Sequence, residues 1–250
     1  MIQGILTGRR ALVTGASSGL GAHFAQVLAG AGAAVILCAR REAALQAVAE
    51  RILLAGGDCG VATLDIADSA SITAIEPTLG DVDILVNNAG VVREAPALDQ
   101  SEQDWDVVLD TNLKGLFLLA QATARAMRAT GRGGSIINIA SILGLRQSSH
   151  VLPYAVSKAG VVQLTKTLAL EVARYGIRVN AIAPGYFATE INGDFWETEA
   201  GHAMLRRIPQ RRLGALSDLD GPLLLLASDA SSYITGSILT VDGGHMLSGL

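Results

Sequence analysis

Seven short β-rich runs alternate with helical stretches along the 250-residue chain. The strand-like runs fall at residues 11–14, 34–38, 61–64, 83–86, 135–139, 178–183 and 237–241. Helical periodicity occupies 20–30, 42–55, a run ending near Leu79, 102–109, 113–129, 153–175 and 217–227. Parallel strands cannot be joined by a tight hairpin and need a crossover, so strict β–α alternation points to a parallel sheet. The strand runs are apolar throughout instead of alternating apolar with polar. That is expected when helices cover both faces of the sheet. The chain therefore reads as α/β, with a doubly wound seven-stranded parallel sheet and helices on both faces.

Composition raises one objection. Half of the residues are hydrophobic, 17% are charged, and the mean hydropathy is +0.40. A membrane span needs about 20 consecutive apolar residues. The best run, residues 31–39, stops at Arg40-Arg41, and residues 223–227 are shorter still. The first ten residues lack the apolar core of a secretory signal. The expectation is no membrane association, with the apolar excess held in a sheet covered on both sides. The abundance of Val, Ile and Leu excludes disorder. A net charge of −4 argues against a nucleic-acid surface. The basic groups Arg40-Arg41 and Arg206-Arg207 with Arg211-Arg212 are small. Cys38 and Cys59 form no disulfide framework, which points to a reducing cytoplasm. His23, His150, His202 and His245 show no metal-ligand spacing, so no metal is expected. No linker divides the chain: residues 1–250 read as one domain. The long stretch at about 185–212 breaks the rhythm and reads as a substrate lid.

The first strand runs into Thr14-Gly15-Ala16-Ser17-Ser18-Gly19-Leu20-Gly21. Glycines at a strand-to-helix turn let the backbone approach a ligand, and the helix N-terminus offers N–H groups to a pyrophosphate. The spacing is G-x3-G-x-G. At the end of the second strand, where an acidic residue would accept the ribose 2′-OH of NAD, stand Arg40 and Arg41. A guanidinium can hold a phosphate by charge-assisted, bidentate bonds. NADP(H) is therefore the preferred dinucleotide, with NAD(H) remaining open.

A second group of residues carries acid–base chemistry. Tyr154 and Lys158 lie four apart on the longest helix and share a face. An ammonium near a phenol favours the phenolate and lowers its pKa toward working pH. Ser141 ends the fifth strand, and Asn112 sits between two helical stretches, where a break could free a backbone carbonyl. Asn87-Asn88-Ala89-Gly90 ends the fourth strand. Ligand crevices of open α/β sheets lie outside such carboxyl-terminal strand ends.

These residues together resemble the short-chain dehydrogenase/reductase family. The likeness runs in order from the Gly15/Gly19/Gly21 turn through Asp65, Asn87-Asn88-Ala89-Gly90, Asn112, Ser141, Tyr154, Lys158, Pro184-Gly185 and Thr189 to residues 240–244. The resemblance implies a Rossmann-like sheet in the order 3-2-1-4-5-6-7 and a homotetramer or homodimer. It implies that Tyr154 exchanges a proton with a carbonyl or alcohol oxygen that Ser141 hydrogen-bonds. Lys158 would bind the nicotinamide ribose, and Asn112 would hold a water in the proton relay. Gly15, Ser17, Ser18, Gly19, Leu20 and Gly21 would cradle the cofactor. Asp65, Ile66, Asn88, Ala89 and Gly90 would line its adenosine side, and Pro184, Gly185, Phe187 and Thr189 its carboxamide side. Relatives with Arg at the place of Arg40 tend to use NADP(H); some also carry a basic residue where this chain has Ser18, which keeps NAD(H) open.

The substrate is expected to be a ketone or secondary alcohol, handled by a carbonyl reductase or alcohol dehydrogenase. Candidate pocket residues are Leu143, Leu145, His150, Val151 and Leu152, then Tyr186, Ile191, Phe195, Trp196 and Met204. Tyr186, Phe187, Phe195 and Trp196 concentrate aromatic side chains in the lid, which favours a largely apolar site. Arg146 and Arg206-Arg207 are the only candidates for a carboxylate clamp. The alternatives are an NAD-dependent alcohol dehydrogenase and a non-catalytic nucleotide-binding scaffold. A nucleotide-sugar epimerase would have a longer C-terminal substrate region, and an enoyl reductase a wider Tyr–Lys spacing.

Overall fold

A computed structural model of the chain describes residues 4–188 and 196–247. Its strands are β1 (Arg10–Thr14), β2 (Ala34–Ala39), β3 (Asp58–Thr63), β4 (Ile84–Asn87), β5 (Gly134–Ile139), β6 (Ile177–Pro184) and β7 (Ile238–Val241). They form one seven-stranded parallel sheet in the order β3-β2-β1-β4-β5-β6-β7. The chain winds outward from β1 to one edge, returns to β4 and builds to the other edge. The reversal between β1 and β4 opens a crevice at the carboxyl ends of the strands.

Each face of the sheet has its own core. On one face, α1 (Gly19–Gly30), α2 (Glu42–Leu54) and α8 (Asp220–Ala227) set Phe24, Leu28, Leu45 and Leu223 against Val13, Val35 and Leu37. On the other, α3 (Ser69–Ile75), α5 (Leu116–Thr130) and α6 (Leu152–Val172) join Ile72, Leu119, Met127 and Val161 to Leu12, Leu85, Ile136 and Ala181. The central strands are buried on both faces. The edges are not: β3 alternates exposed with half-buried residues, and β7 is mostly half-buried. An edge strand has one neighbour and less helix over it. β3 also starts earlier than its composition indicates, because Asp58, Cys59 and Gly60 pair with Ala34, Val35 and Ile36. Ladder bonding to β2 outweighs the poor strand propensity of Asp and Gly.

Two helices differ from expectation at places that matter to the site. α6 stops at Val172, and Ala173–Tyr175 form a 3₁₀ turn closed by Gly176 at φ 71°. Between α4 (Glu102–Leu109) and α5 there is no break but a π-helical turn, Asp110–Gly115, that carries Asn112. A Cβ at Gly115 would lie 2.0 Å from the Ile66 carbonyl oxygen, so only glycine lets this turn press on the loop after β3. The stretch from 185 to 212 includes α7 (Glu199–Leu205), and its Phe187 forms a parallel bridge with Gly214 just beyond it. Among the described residues no helix is long and apolar enough to cross a membrane, and no His/Cys/Asp/Glu cluster could hold a metal ion.

Candidate active site

The nucleotide end is built from backbone and one threonine. Thr14 Oγ1 accepts hydrogen bonds from the backbone N–H groups of Asn88 and Ala89, each at 3.0 Å. Asn88 Nδ2 returns one to the Thr14 carbonyl at 3.0 Å. The ends of β1 and β4, the two strands flanking the reversal, are thus stapled together. Gly15 has φ 67°, and a Cβ there would meet Asn88 Nδ2 at 2.9 Å. A Cβ at Gly21 would lie 2.3 Å from the Gly15 carbonyl oxygen, so α1 can begin directly on its own turn only with glycine. Ser18 occupies the N-cap of α1 without making a side-chain cap bond. The first-turn N–H groups therefore face the crevice without a side-chain cap, a site suited to a pyrophosphate. Sequence reading gave Thr14 no role of its own; a hydroxyl at the last strand position before the glycine turn is the signal that marks it.

The two arginines after β2 diverge. Arg40 Nη1 stands 3.9 Å from Asp65 Oδ2, while Asp65 Oδ1 accepts from Ala67 N at 3.0 Å. Arg41 Nη2 reaches back over the glycine turn to Ser17 Oγ at 3.1 Å and Ser18 Oγ at 3.0 Å. Both guanidinium groups are exposed. Arg40 and Ala67 face Glu102, Asp106, Val107 and Thr111 of the α4 region across a cleft of about 480 Å³. Ile66 is buried. A cradle that only glycine fits, an uncapped helix start and two arginines beside it fit a phosphorylated dinucleotide.

Gly90 joins this end to the acid–base cluster: a Cβ there would be 3.3 Å from Asn112 Oδ1 and 3.7 Å from Lys158 Nζ. Lys158 is buried and donates from Nζ to the Ile139 carbonyl at 2.7 Å. Burial lowers its pKa to about 8. Its ammonium lies 5.6 Å from the centre of the Tyr154 ring. Ser141 is buried at the end of β5, where its hydroxyl caps the following turn through Leu143 N at 3.1 Å. The same side chain is hydrogen-bonded with Tyr154. Burial raises the Tyr154 pKa, the Ser141 bond lowers it, and nearby Tyr186 raises it further. The net direction is upward. This corrects the expectation of a phenol lowered by Lys158: desolvation of the buried phenolate outweighs the stabilising contacts.

Asn112 is fully buried in the π-helical turn. Its Oδ1 accepts from Val91 N at 2.8 Å; its Nδ2 donates to Val91 O at 2.9 Å and to Ser157 Oγ at 3.1 Å. Ser157, which sequence reading passed over, donates from Oγ to the Tyr154 carbonyl at 2.7 Å.

The rim is made of longer side chains. The Tyr186 ring packs 5.6 Å from Trp196, edge-on, and 5.6 Å from His245. Arg146 Nη1 donates to the His245 carbonyl, tying the loop after β5 to the C-terminal segment. Burial raises the Tyr186 pKa and lowers that of His245. His245 entered sequence reading only as a scattered histidine; nothing local marks it as a neighbour of Tyr186. Pro184 ends β6, Gly185 follows it, and Phe187 is buried. Leu143, Val151 and Met204 are half-buried, whereas Leu145, Leu152 and His150 are exposed. His150 has φ 67°, and its carbonyl accepts from Ala95 N at 2.9 Å. Thr189, Ile191 and Phe195 lie outside the described residues.

A family model described as enoyl-(acyl carrier protein) reductase matches residues 15–246. The chain is 39% identical over 248 residues to gluconate 5-dehydrogenase of Gluconobacter oxydans, covering 97% of this chain and 96% of that protein. It is 41% identical over 246 residues to 2-dehydro-3-deoxy-D-gluconate 5-dehydrogenase of Escherichia coli, covering 96% of each. Among solved structures, a gluconate 5-dehydrogenase from Burkholderia cenocepacia in complex with NADP and tartrate superposes with a TM-score of 0.93. It is 38% identical and 99% of each chain is covered.

Proposed function

The chain belongs to the short-chain dehydrogenase/reductase family of oxidoreductases, which act on CH–OH and C=O groups, and from that premise we propose that it interconverts a ketone and a secondary alcohol, preferring NADP(H) to NAD(H). The reading is carried by the convergence of Ser141, Tyr154, Lys158 and Asn112 at the carboxyl ends of the strands. Bound NADP(H) supplies the hydride in reduction and accepts it in oxidation. Tyr154 donates its phenolic proton to the carbonyl oxygen as that oxygen gains negative charge, and Ser141 donates a hydrogen bond to the same oxygen. In oxidation Tyr154 takes the alcohol proton instead. Lys158 stabilises the phenolate that forms on reduction and is the group beside it from which a proton can return. A phenol held above its ordinary value is protonated at neutral pH and so ready to donate in reduction.

Arg40 and Arg41 support the NADP(H) preference, as does the NADP bound by the Burkholderia relative. The relatives named for gluconate and its dehydro-deoxy derivative support a small polyhydroxylated acid as substrate. So do the phenol, imidazole and guanidinium of Tyr186, His245 and Arg146 at the rim. Leu152 and Val156 of α6, Trp105 of α4 and Phe117 of α5 are each at least 37% exposed. They supply an apolar surface for pairing of subunits in a homodimer or homotetramer. The free cysteines Cys38 and Cys59 fit a cytoplasmic setting.

The test is a spectrophotometric screen of NADPH oxidation and NADP reduction over keto and hydroxy acids, polyols and simple ketones. Turnover that disappears in Tyr154→Phe is the expected result. A parent protein that binds NADPH but turns over no carbonyl or alcohol would be a nucleotide-binding scaffold, and the proposal would fail.

A further inference from the structure

The catalytic tyrosine sits on an insecure piece of helix. Tyr154 lies in the first turn of α6, whose N-cap, Val151, has φ −129° and ψ 34° and makes no side-chain cap bond. Pro153 follows and brings no backbone N–H of its own. A first turn without a cap frays more readily than the helix interior. Lys158, one turn on, is fastened independently through its ammonium to the Ile139 carbonyl of β5. That bond does not hold the turn before it.

Ser157 does. It is fully buried, and its hydroxyl uses both its capacities: Oγ accepts from Asn112 Nδ2 at 3.1 Å and donates to the Tyr154 carbonyl at 2.7 Å. Asn112 is itself clamped at both ends of its amide to the backbone of Val91, next to Gly90. An unbroken chain of hydrogen bonds therefore runs from the loop after β4, through the π-helical turn, to the backbone of the proton donor. Each member is buried or half-buried, where water cannot easily replace a lost partner.

We propose that Ser157 is a positioning residue for the reaction: its hydroxyl, anchored by Asn112, fixes the first turn of α6 and so the place of the Tyr154 phenol against Ser141 and Lys158. It touches neither substrate nor cofactor and acts only through the backbone of Tyr154. The inference rests on the acid–base role given to Tyr154 above, and its test separates the two.

In Ser157→Ala, kcat for carbonyl reduction should fall about 10–100-fold, while the NADPH dissociation constant and substrate KM change less than about threefold, as expected for an effect on the transition state alone. The alkaline limb of the kcat profile should move: of the groups around this pocket, His245 titrates lower and Arg146 stays charged, which leaves Tyr154, Lys158 and Tyr186 on that limb, and only the first is released. Ser157→Thr, which keeps the hydroxyl, should recover most of the lost kcat. Hydrogen exchange reads the tether without any turnover: backbone amides 155–158 should exchange about tenfold faster in Ser157→Ala, with those of α5 unchanged. An unchanged kcat and pH profile with a lowered Tm would overturn the proposal, as would equal loss of kcat and NADPH binding. Unaltered exchange at 155–158 would overturn it as well. A parent without turnover, together with faster exchange at 155–158 in Ser157→Ala, would reject the proposed function and leave the tether standing.

Discussion

The two ends of the crevice are built on different principles. At the nucleotide end and in the acid–base cluster beside it, contacts are between backbone groups and short side chains: Thr14 against Asn88 and Ala89, Gly21 against the Gly15 carbonyl, Asn112 against Val91. Tolerances there are tenths of an ångström. At the rim, Tyr186, Trp196, His245 and Arg146 meet through tilted and edge-on rings and a long guanidinium arm, and they come from loops and short helical turns. The first arrangement admits almost no substitution; the second can be altered without disturbing the sheet. A fold that keeps one chemistry while changing substrates needs both, with the chemistry on rigid elements and the choice of substrate on loops.

Substitutions at the two ends should therefore differ in kind as well as size. The largest effect is expected at Tyr154. Tyr154→Phe should lower kcat about a hundredfold to ten-thousandfold, the usual worth of a positioned acid, with NADPH affinity nearly intact by fluorescence titration. Lys158 comes next, and it carries a pH signature. Its folded pKa of about 8 lies below the ordinary lysine value of 10.5. Between those values the unfolded chain binds more protons than the folded one, so stability rises with pH across that window. Below pH 8 the penalty of the buried ammonium is present in full, on the order of 3 kcal/mol. The Tm of the parent relative to Lys158→Met should therefore improve from pH 7 to pH 10 in thermal melts; an opposite slope would contradict the assignment.

Gly21→Ala is the corresponding test of the nucleotide end. A Cβ pressed against the Gly15 carbonyl should cost about 1–3 kcal/mol by chemical denaturation and weaken NADPH binding as well. Arg40→Asp should weaken NADPH binding by about 1.5 kcal/mol, roughly tenfold, because a largely exposed guanidinium delivers the low end of a charged hydrogen bond. NADH binding should hardly change in the same titration. The smallest effect belongs to the rim. Tyr186→Phe should shift substrate KM severalfold and leave kcat and Tm close to the parent. A large fall in kcat there would erase the distinction between the two ends.

How much could be read from sequence follows the same division. The glycine turn, Asn87 to Gly90 and the Tyr154–Lys158 pair are contiguous or share a helix face, so spacing alone displays them. The sheet order followed from resemblance in the motifs and was met in full. What spacing could not display depends on the approach of distant segments. The extension of β3 back to Asp58 is decided by its partner β2. The π-helical turn at Asn112 comes from packing against the loop that carries Ile66. The direction of the Tyr154 pKa depends on burial, which a tyrosine in sequence does not announce. His245 reaches Tyr186 only because β7 returns the chain to the crevice.

Gly115 has a consequence for anyone wishing to re-engineer the cofactor preference. Its bare Cα lets the segment bearing Asn112 rest directly on the Ile66 carbonyl. The loop proposed to meet the adenosine and the helical turn proposed to position the acid are therefore two sides of one wall. They are not interchangeable modules. Grafting the loop around Asp65 and Ile66 from a relative with another backbone course would displace Asn112 and, through it, Tyr154. Redesign is safest when confined to Arg40 and Arg41, whose exposed guanidinium groups meet that wall only through the ion pair of Arg40 with Asp65 at 3.9 Å.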